Sequence, residues 1–289
     1  DGRTQIYGVY DLKDAAYTTP GLPLAETRGM PATGRSLVVM MNQRVVSVPR
    51  FSIESAVLTS SGSATFHPDG LTIRTMDLSR LVAGRTDIRA VIQGERNGSK
   101  TVRIEGNAFD IAPILAARTE SGDVPLPPFK ASMRLGRLYI ARDRFVSDFV
   151  GEANYDGKQW RGIAMDAKVG HGTLLTLRLV ESGSGRALQI ATQDAGAALK
   201  ALNVADTVVG GALTVRAAID DRDPNAGFVG RADMRNFRVI RAPAMARLLA
   251  MASFEGLGNL LATDRGIAFG TLTMPFVYRK SALELQDGH

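Results

Sequence analysis

Apolar residues at every second position dominate this chain, and a period of two admits little other than half-buried strands. In Leu213-Thr-Val-Arg-Ala-Ala-Ile219 they stand at i, i+2, i+4 and i+6. Leu175-Thr-Leu-Arg-Leu179 repeats the pattern, and Leu71-Thr-Ile-Arg-Thr-Met76 begins with it. Polar, glycine-bearing runs separate such stretches: Pro68-Asp-Gly70, Asn97-Gly98, Asp156-Gly157 and Ser182-Gly-Ser-Gly185. Strands joined by turns this short must pair antiparallel, since a parallel neighbour needs a crossover of about a dozen residues or more. The pattern predicts a mainly β chain, an antiparallel meander sheet with a few short helices.

Three segments share one grammar of a β-like run, then Asp or Ala-Pro, then a short apolar helix. They are Asn107 to Ala117, Ile190 to Leu202 and Asn236 to Leu249. Their spacing is too irregular for a solenoid of fixed period and points to one β-rich unit used repeatedly. Helices are expected near 110–117, 194–202 and 243–262. In the last, Pro243 suits the first helical position. Met245, Leu248, Leu249 and Ala252 then line one apolar face, a lid on the sheet or a membrane-contact element flanked by Arg241 and Arg247. The run Thr119-Glu-Ser-Gly-Asp-Val-Pro-Leu-Pro-Pro128 breaks helix and ladder alike. It divides the chain into expected modules 1–120 and 121–289.

Among the 289 residues there is no cysteine, so neither a disulfide framework nor a thiolate metal site can form. Net charge is +6 and the pI near 9.8, which favours anionic partners. The basic residues are scattered singly along strands, without the aromatic-basic stripe of a nucleic-acid binder. No window reaches the roughly 18 to 20 apolar residues of a membrane span. The chain begins at Asp1 and breaks off at Leu-Glu-Leu-Gln-Asp-Gly-His289, and is read as an internal piece of a longer protein.

No catalytic set emerges. His67 and His171 fall in turns, His289 is terminal, and no Gly-x-Ser-x-Gly elbow accompanies Val169-Gly-His-Gly172. Asp220-Asp-Arg-Asp-Pro-Asn225 has the wrong pattern for a calcium loop and reads as a solvated turn. Trp160, the sole tryptophan, reads as cross-strand packing. We expect no enzyme activity, cofactor or metal. The functional candidate is an apolar sheet face, whose bland rival is the core of a sandwich. Stretches of small residues such as Ser61-Gly-Ser-Ala64 and the few aromatics suit an open trough better than a thick core. Alternation nominates Met133, Leu135, Leu175, Leu177, Leu179, Leu213, Val215, Phe237, Val239, Ile267 and Phe269 as its lining.

The stretch Gly227-Phe-Val-Gly-Arg-Ala-Asp-Met-Arg-Asn-Phe-Arg-Val-Ile-Arg-Ala-Pro243 through Leu249, with Phe254-Glu-Gly-Leu257 and Gly266-Ile-Ala-Phe269, resembles the C-terminal region of AsmA-like proteins. The likeness is to the large YhdP-type, TamB-related members. Asp194-Ala-Gly-Ala-Ala-Leu199, Gly210-Gly-Ala-Leu-Thr-Val215 and the segment from Asn107 fit the same family. The likeness covers most of the chain, with its signature in 194–276. It implies an elongated, curved, taco-like β-groove in a periplasmic protein anchored to the inner membrane by a segment outside this chain. It also implies phospholipid as cargo passing between inner and outer membranes, and membrane proteins as partners at the ends of the full-length chain. The rival reading is an assembly module for outer-membrane proteins or envelope integrity that pairs its edges with client strands and carries no lipid.

Overall fold

A computed structural model describes residues 2–13, 17–18, 25–26, 31–121, 126–223, 227–240, 266–279 and 282–285. The strands in the first part of the chain are β1 (Arg3–Asp11), β2 (Tyr17–Thr18), β3 (Ala25–Glu26), β4 (Ala32–Met41), β5 (Arg44–Ser55), β6 (Leu58–Phe66), β7 (Ile73–Ala83), β8 (Thr86–Gly94) and β9 (Lys100–Asp110). After helix α1 (Ala112–Ser121) come β10 (Phe129–Ala141), β11 (Arg144–Tyr155), β12 (Trp160–Val169), β13 (Thr173–Ser182) and β14 (Gly185–Thr192). Helix α2 (Ala195–Ala201) precedes β15 (Val208–Asp220), β16 (Phe228–Val239), β17 (Ile267–Arg279) and β18 (Ala282–Leu285). The protein is mainly β, as the alternation predicts, and apart from a β2–β3 ribbon its strands belong to an open meander sheet.

Two compact units can be distinguished, Asp1–Asp143 with Asp148–Trp160, and Arg144–Ser147 with Arg161–His289. Strand order follows the chain in each: β1-β4-β5-β6-β7-β8-β9-β10-β11 in the first and β12-β13-β14-β15-β16-β17-β18 in the second. The proline-bearing stretch from Thr119 to Pro128 lies inside the first unit. The expected helix at 243–262, with Met245, Leu248, Leu249 and Ala252, lies outside the described residues.

Turns close as their residues dictate. Asp156 Oδ1 accepts from the N–H groups of Lys158 and Gln159 at 2.8 and 2.9 Å. Asp69 does the same for Leu71 and Thr72, both at 2.9 Å, and also accepts from the Thr72 hydroxyl. Such side chains mimic a backbone turn and set the hairpin register. In α2 the N-cap Asp194 accepts from Ala197 N–H at 2.9 Å. Gly196 brings the helix onto β15, since a Cβ there would lie 2.5 Å from the Val208 carbonyl oxygen.

One pairing departs from the sequence expectation. β9 and β10 run parallel, with Phe129 beside Lys100 and Tyr139 beside Asp110, so the sheet is mixed rather than wholly antiparallel. Short turns do demand antiparallel neighbours, but the connection from residue 111 to residue 128 is long enough to return to the start of β9. It carries α1 on the way.

Asp110 anchors this crossover. It is 6% exposed, and Arg85 donates to its Oδ2 from Nε at 2.9 Å and from Nη2 at 2.6 Å. Its Oδ1 accepts from Ala112 N–H at 3.1 Å, opening the helix, and its own N–H donates to the hydroxyl of buried Thr86 at 3.2 Å. Arg85 also donates to the Arg142 carbonyl and lies 4.4 Å over the Tyr139 ring. One carboxylate thus ties the β7–β8 turn, the end of β9 and the entry to α1, and its partner arginine reaches the end of β10.

Asp110→Ala strands a guanidinium and a helix N–H, and is expected to destabilise the first unit by about 1–3 kcal/mol in urea denaturation. A second outcome concerns Asp69, whose carboxyl is lowered from 3.8 to about 2, first by the Thr72 hydroxyl and then by the Leu71 and Thr72 amides. A depressed folded value means the turn's contribution is present above pH 3.8 and is lost as pH falls through about 2. A carbon-detected NMR titration should place the Asp69 midpoint near 2, and Thr72→Val should move it back toward 3.8.

Candidate functional site

Register decides which side chains share a face, because directly opposed residues point the same way. In the second unit, Met165 on β12 opposes Leu177 on β13, Leu177 opposes Ile190 on β14, and Ile190 opposes Val215 on β15. Val215 opposes Ala232 on β16, which opposes Met274 on β17. Six strands therefore carry one unbroken apolar row, and every member of it is half-buried. It is flanked on one side by Ala167, Leu175, Thr192, Leu213, Met234 and Leu272. On the other side lie Ile163, Leu179, Leu188, Ala217, Gly230 and Phe276. Leu175, Leu179, Leu213 and Ala217 in these flanks are buried, so on β13 and β15 the half-exposed row runs between better-covered neighbours.

The opposite face of the same strands is polar. Asp166, Thr176, Ala191, Thr214, Asp233 and Thr273 form one row, and Arg178, Gln189, Arg216 and Arg231 the next. Charge on one side and aliphatic side chains on the other is the signature of a sheet with two different environments.

The first unit repeats the arrangement. Phe51, Gly62, Leu78, Ala90, Ile104 and Met133 oppose one another from β5 to β10. Ile53, Ser60, Leu81, Ile88, Gly106 and Leu135 form the neighbouring row. The parallel step keeps the face, since Met133 and Leu135 sit beside Ile104 and Gly106. Register shifts between Val48 and Phe51, between Ser61 and Gly62, and between Leu78 and Leu81 absorb irregularities without losing the alternation of apolar and polar rows.

Of the residues nominated from sequence, Leu175, Leu177, Leu179, Leu213 and Val215 fall on one face, and Met133 and Leu135 lie on the corresponding rows of the first unit. Phe237, Val239, Ile267 and Phe269 pair with one another. Phe237 opposes Phe269 with stacked rings 5.3 Å apart, and Val239 opposes Ile267. Positive φ angles at Gly210, Gly211 and Asn236 interrupt the strands between Val215 and Phe237. Counting by two does not carry a face across such an interruption. At Gly211 a Cβ would stand 2.7 Å from that of Phe237, which explains the glycine.

Sequence reasoning missed Met165, Ile190, Ala232 and Met274. The alternation Ile163-Ala-Met165-Asp-Ala167-Lys-Val169 holds the signal for the first, while Met274 lies beside Pro275 in a stretch without clear period.

The polar motifs are engaged in structure. His67 Nε2 lies 3.0 Å from the Gly94 carbonyl, and His171 sits in the turn closed by Gly172 N–H to the Val169 carbonyl. Asp220 pairs with Arg222, which holds its carboxyl well below the usual range, and Asp221 pairs with buried Arg186 at 2.7 Å. Trp160 packs 5.6 Å from Phe129 and 5.2 Å from Tyr155, ring centre to ring centre. Among the described residues no group of three or more His, Asp or Glu is placed to hold a metal ion. None of their helices is long and apolar enough to cross a membrane.

Compared with known protein families, curated proteins and solved structures, the chain matches none.

The burial difference along β13 has a measurable consequence. Leu179→Ala, at a buried position, is expected to cost roughly 2–5 kcal/mol. Leu177→Ala, half-exposed in the same strand, should cost about 1–2 kcal/mol by lost burial alone. Equal losses in denaturant titrations would mean that Leu177 is as well covered as Leu179.

Proposed function

We propose that the chain is a β-groove segment of a lipid-transfer protein, with acyl chains lying along the apolar face and headgroups in water. The observation that carries this reading is the half-buried row Met165, Leu177, Ile190, Val215, Ala232 and Met274, apolar across six strands. Each methylene kept out of water along such a row is worth about 0.8 kcal/mol, so a chain can stay shielded as it passes from strand to strand. Successive positions present similar aliphatic surface and no anchoring polar group, which suits movement better than capture. The resemblance of residues 194–276 to AsmA-like proteins points the same way and extends the reading to phospholipid carried between inner and outer membranes by a periplasmic, inner-membrane-anchored protein. We read the segment as non-enzymatic, without cofactor, and without nucleic-acid partners.

Photo-crosslinking residues at Leu177 and Val215 are expected to label phospholipid in cells. The same probes at Leu174 and Thr176, which register places on the other face, should label it several-fold less. Leu174 makes the stricter control because it is apolar and 54% exposed. Equal labelling at all four positions, with no phospholipid detected by mass spectrometry in the purified protein, would favour the assembly module instead.

A further inference from the structure

The polar face of the second unit contains a cavity of about 420 Å³ that the apolar row does not explain. Two arginines line it, and they differ in one decisive respect. Arg178 is paired: Nη2 donates to both oxygens of Asp166 at 2.7 and 2.8 Å. Its Nη1 donates to the carbonyls of Met165 and Leu177 at 2.7 and 2.9 Å. Arg216 is exposed and has no hydrogen bond or ion pair among the described residues.

Its directly opposed neighbours are Gln189 on one side and Arg231 on the other. Like charges directly across a pair of strands are destabilising. Arg231 is itself matched by Asp233 at 2.9 Å, and Asp233 is further held by the Thr273 hydroxyl at 3.0 Å. The charges around the cavity therefore balance except at Arg216, where one positive charge is left over.

Beside the arginine row runs a second, apolar one. Val180 opposes Ala187, Ala187 opposes Ala218, and Ala218 opposes Val229. All four line the cavity, and Val180 and Val229 are 52% and 56% exposed, unusual for valines on a charged sheet face. Four strands at about 4.8 Å spacing make this row some 14 Å long. A lone guanidinium beside a short aliphatic track describes a ligand with a single anionic head and a single short tail. We propose that this cavity binds a monoanionic, single-chain amphiphile such as a medium-chain carboxylate, its head on Arg216 and Gln189 and its tail along Val180, Ala187, Ala218 and Val229. The side chains of Arg216, Val180 and Val229 belong to the face opposite the acyl row, while Leu188 and Ala217 from the flank of that row also border the cavity; the proposal stands independently of the lipid-transfer reading.

The test titrates octanoate into methyl-labelled protein and follows NMR shifts. Saturable shifts are expected at the Val180 and Val229 methyls and at the Arg216 side chain, with acetate and octanol each binding at least about ten-fold more weakly. Arg216→Gln, at an exposed position, should leave the urea transition unchanged and weaken octanoate about ten-fold, the worth of one charge-assisted hydrogen bond. Val229→Ser should weaken octanoate and leave acetate alone. Shifts confined to the Leu177 and Val215 methyls would overturn the site while leaving the acyl row intact. Equal binding to Arg216→Gln would overturn it as well. So would binding of phosphatidylglycerol vesicles with no response to octanoate, because the cavity would then not be a single-chain site.

Discussion

Because successive side chains of a strand point to opposite faces, a slip of one residue at any pairing would exchange the two faces of that strand. In the second unit such a slip on β14 would set Ala191 or Gln189, rather than Ile190, opposite Leu177. Nothing in the hydrogen-bond ladder itself forbids this, since backbone donors and acceptors repeat along the strand. The aliphatic rows forbid it, helped by tight connections such as Ser182 to Gly185. Each row is thus both a product of the register and the reason that the register holds.

The parallel step from β9 to β10 is the place where this logic could have failed. A long connection offers several alignments, and no tight turn selects among them. Asp110 narrows the choice, because its carboxylate must meet Arg85 and the first turn of α1 at once, while Arg85 reaches the Arg142 carbonyl. A buried, well-bonded ion pair of this kind is a weak source of stability and a better source of specificity. With that alignment in place, Met133 lands beside Ile104 and the apolar face of the first unit continues unbroken.

The two faces of the second unit use the same strands for different chemistry. On one, the central row from Met165 to Met274 is apolar at every strand, so a bound chain would find no single anchoring position. On the other, Arg178 and Arg231 are each matched to an aspartate, while Arg216, which lines the cavity with Arg178, has no such partner among the described residues. A site that holds a ligand needs such a singular feature, whereas a path along which a ligand moves needs its absence. The alternation of period two lets one set of strands provide both.

Much of this was legible in the residues themselves. The period of two in Leu213 to Ile219 and Leu175 to Leu179, the Asp-Gly and Asn-Gly turns, and the acidic caps at Asp110 and Asp194 are local signals, and a mainly β meander follows from them. Which side of the sheet Leu177 and Val215 share was likewise implicit, since both stand at apolar positions of strictly alternating strands. Tertiary structure alone decided the parallel pairing of β9 with β10, because a long connection permits either direction. It also decided that Phe237 stacks on Phe269, because residues of positive φ break the count by two between Leu213 and Phe237. The guanidinium of Arg216 belongs to the same class: a sequence shows how many charges a chain carries, and only the pairing of its strands sets Arg216, without a partner among the described residues, beside the row from Val180 to Val229.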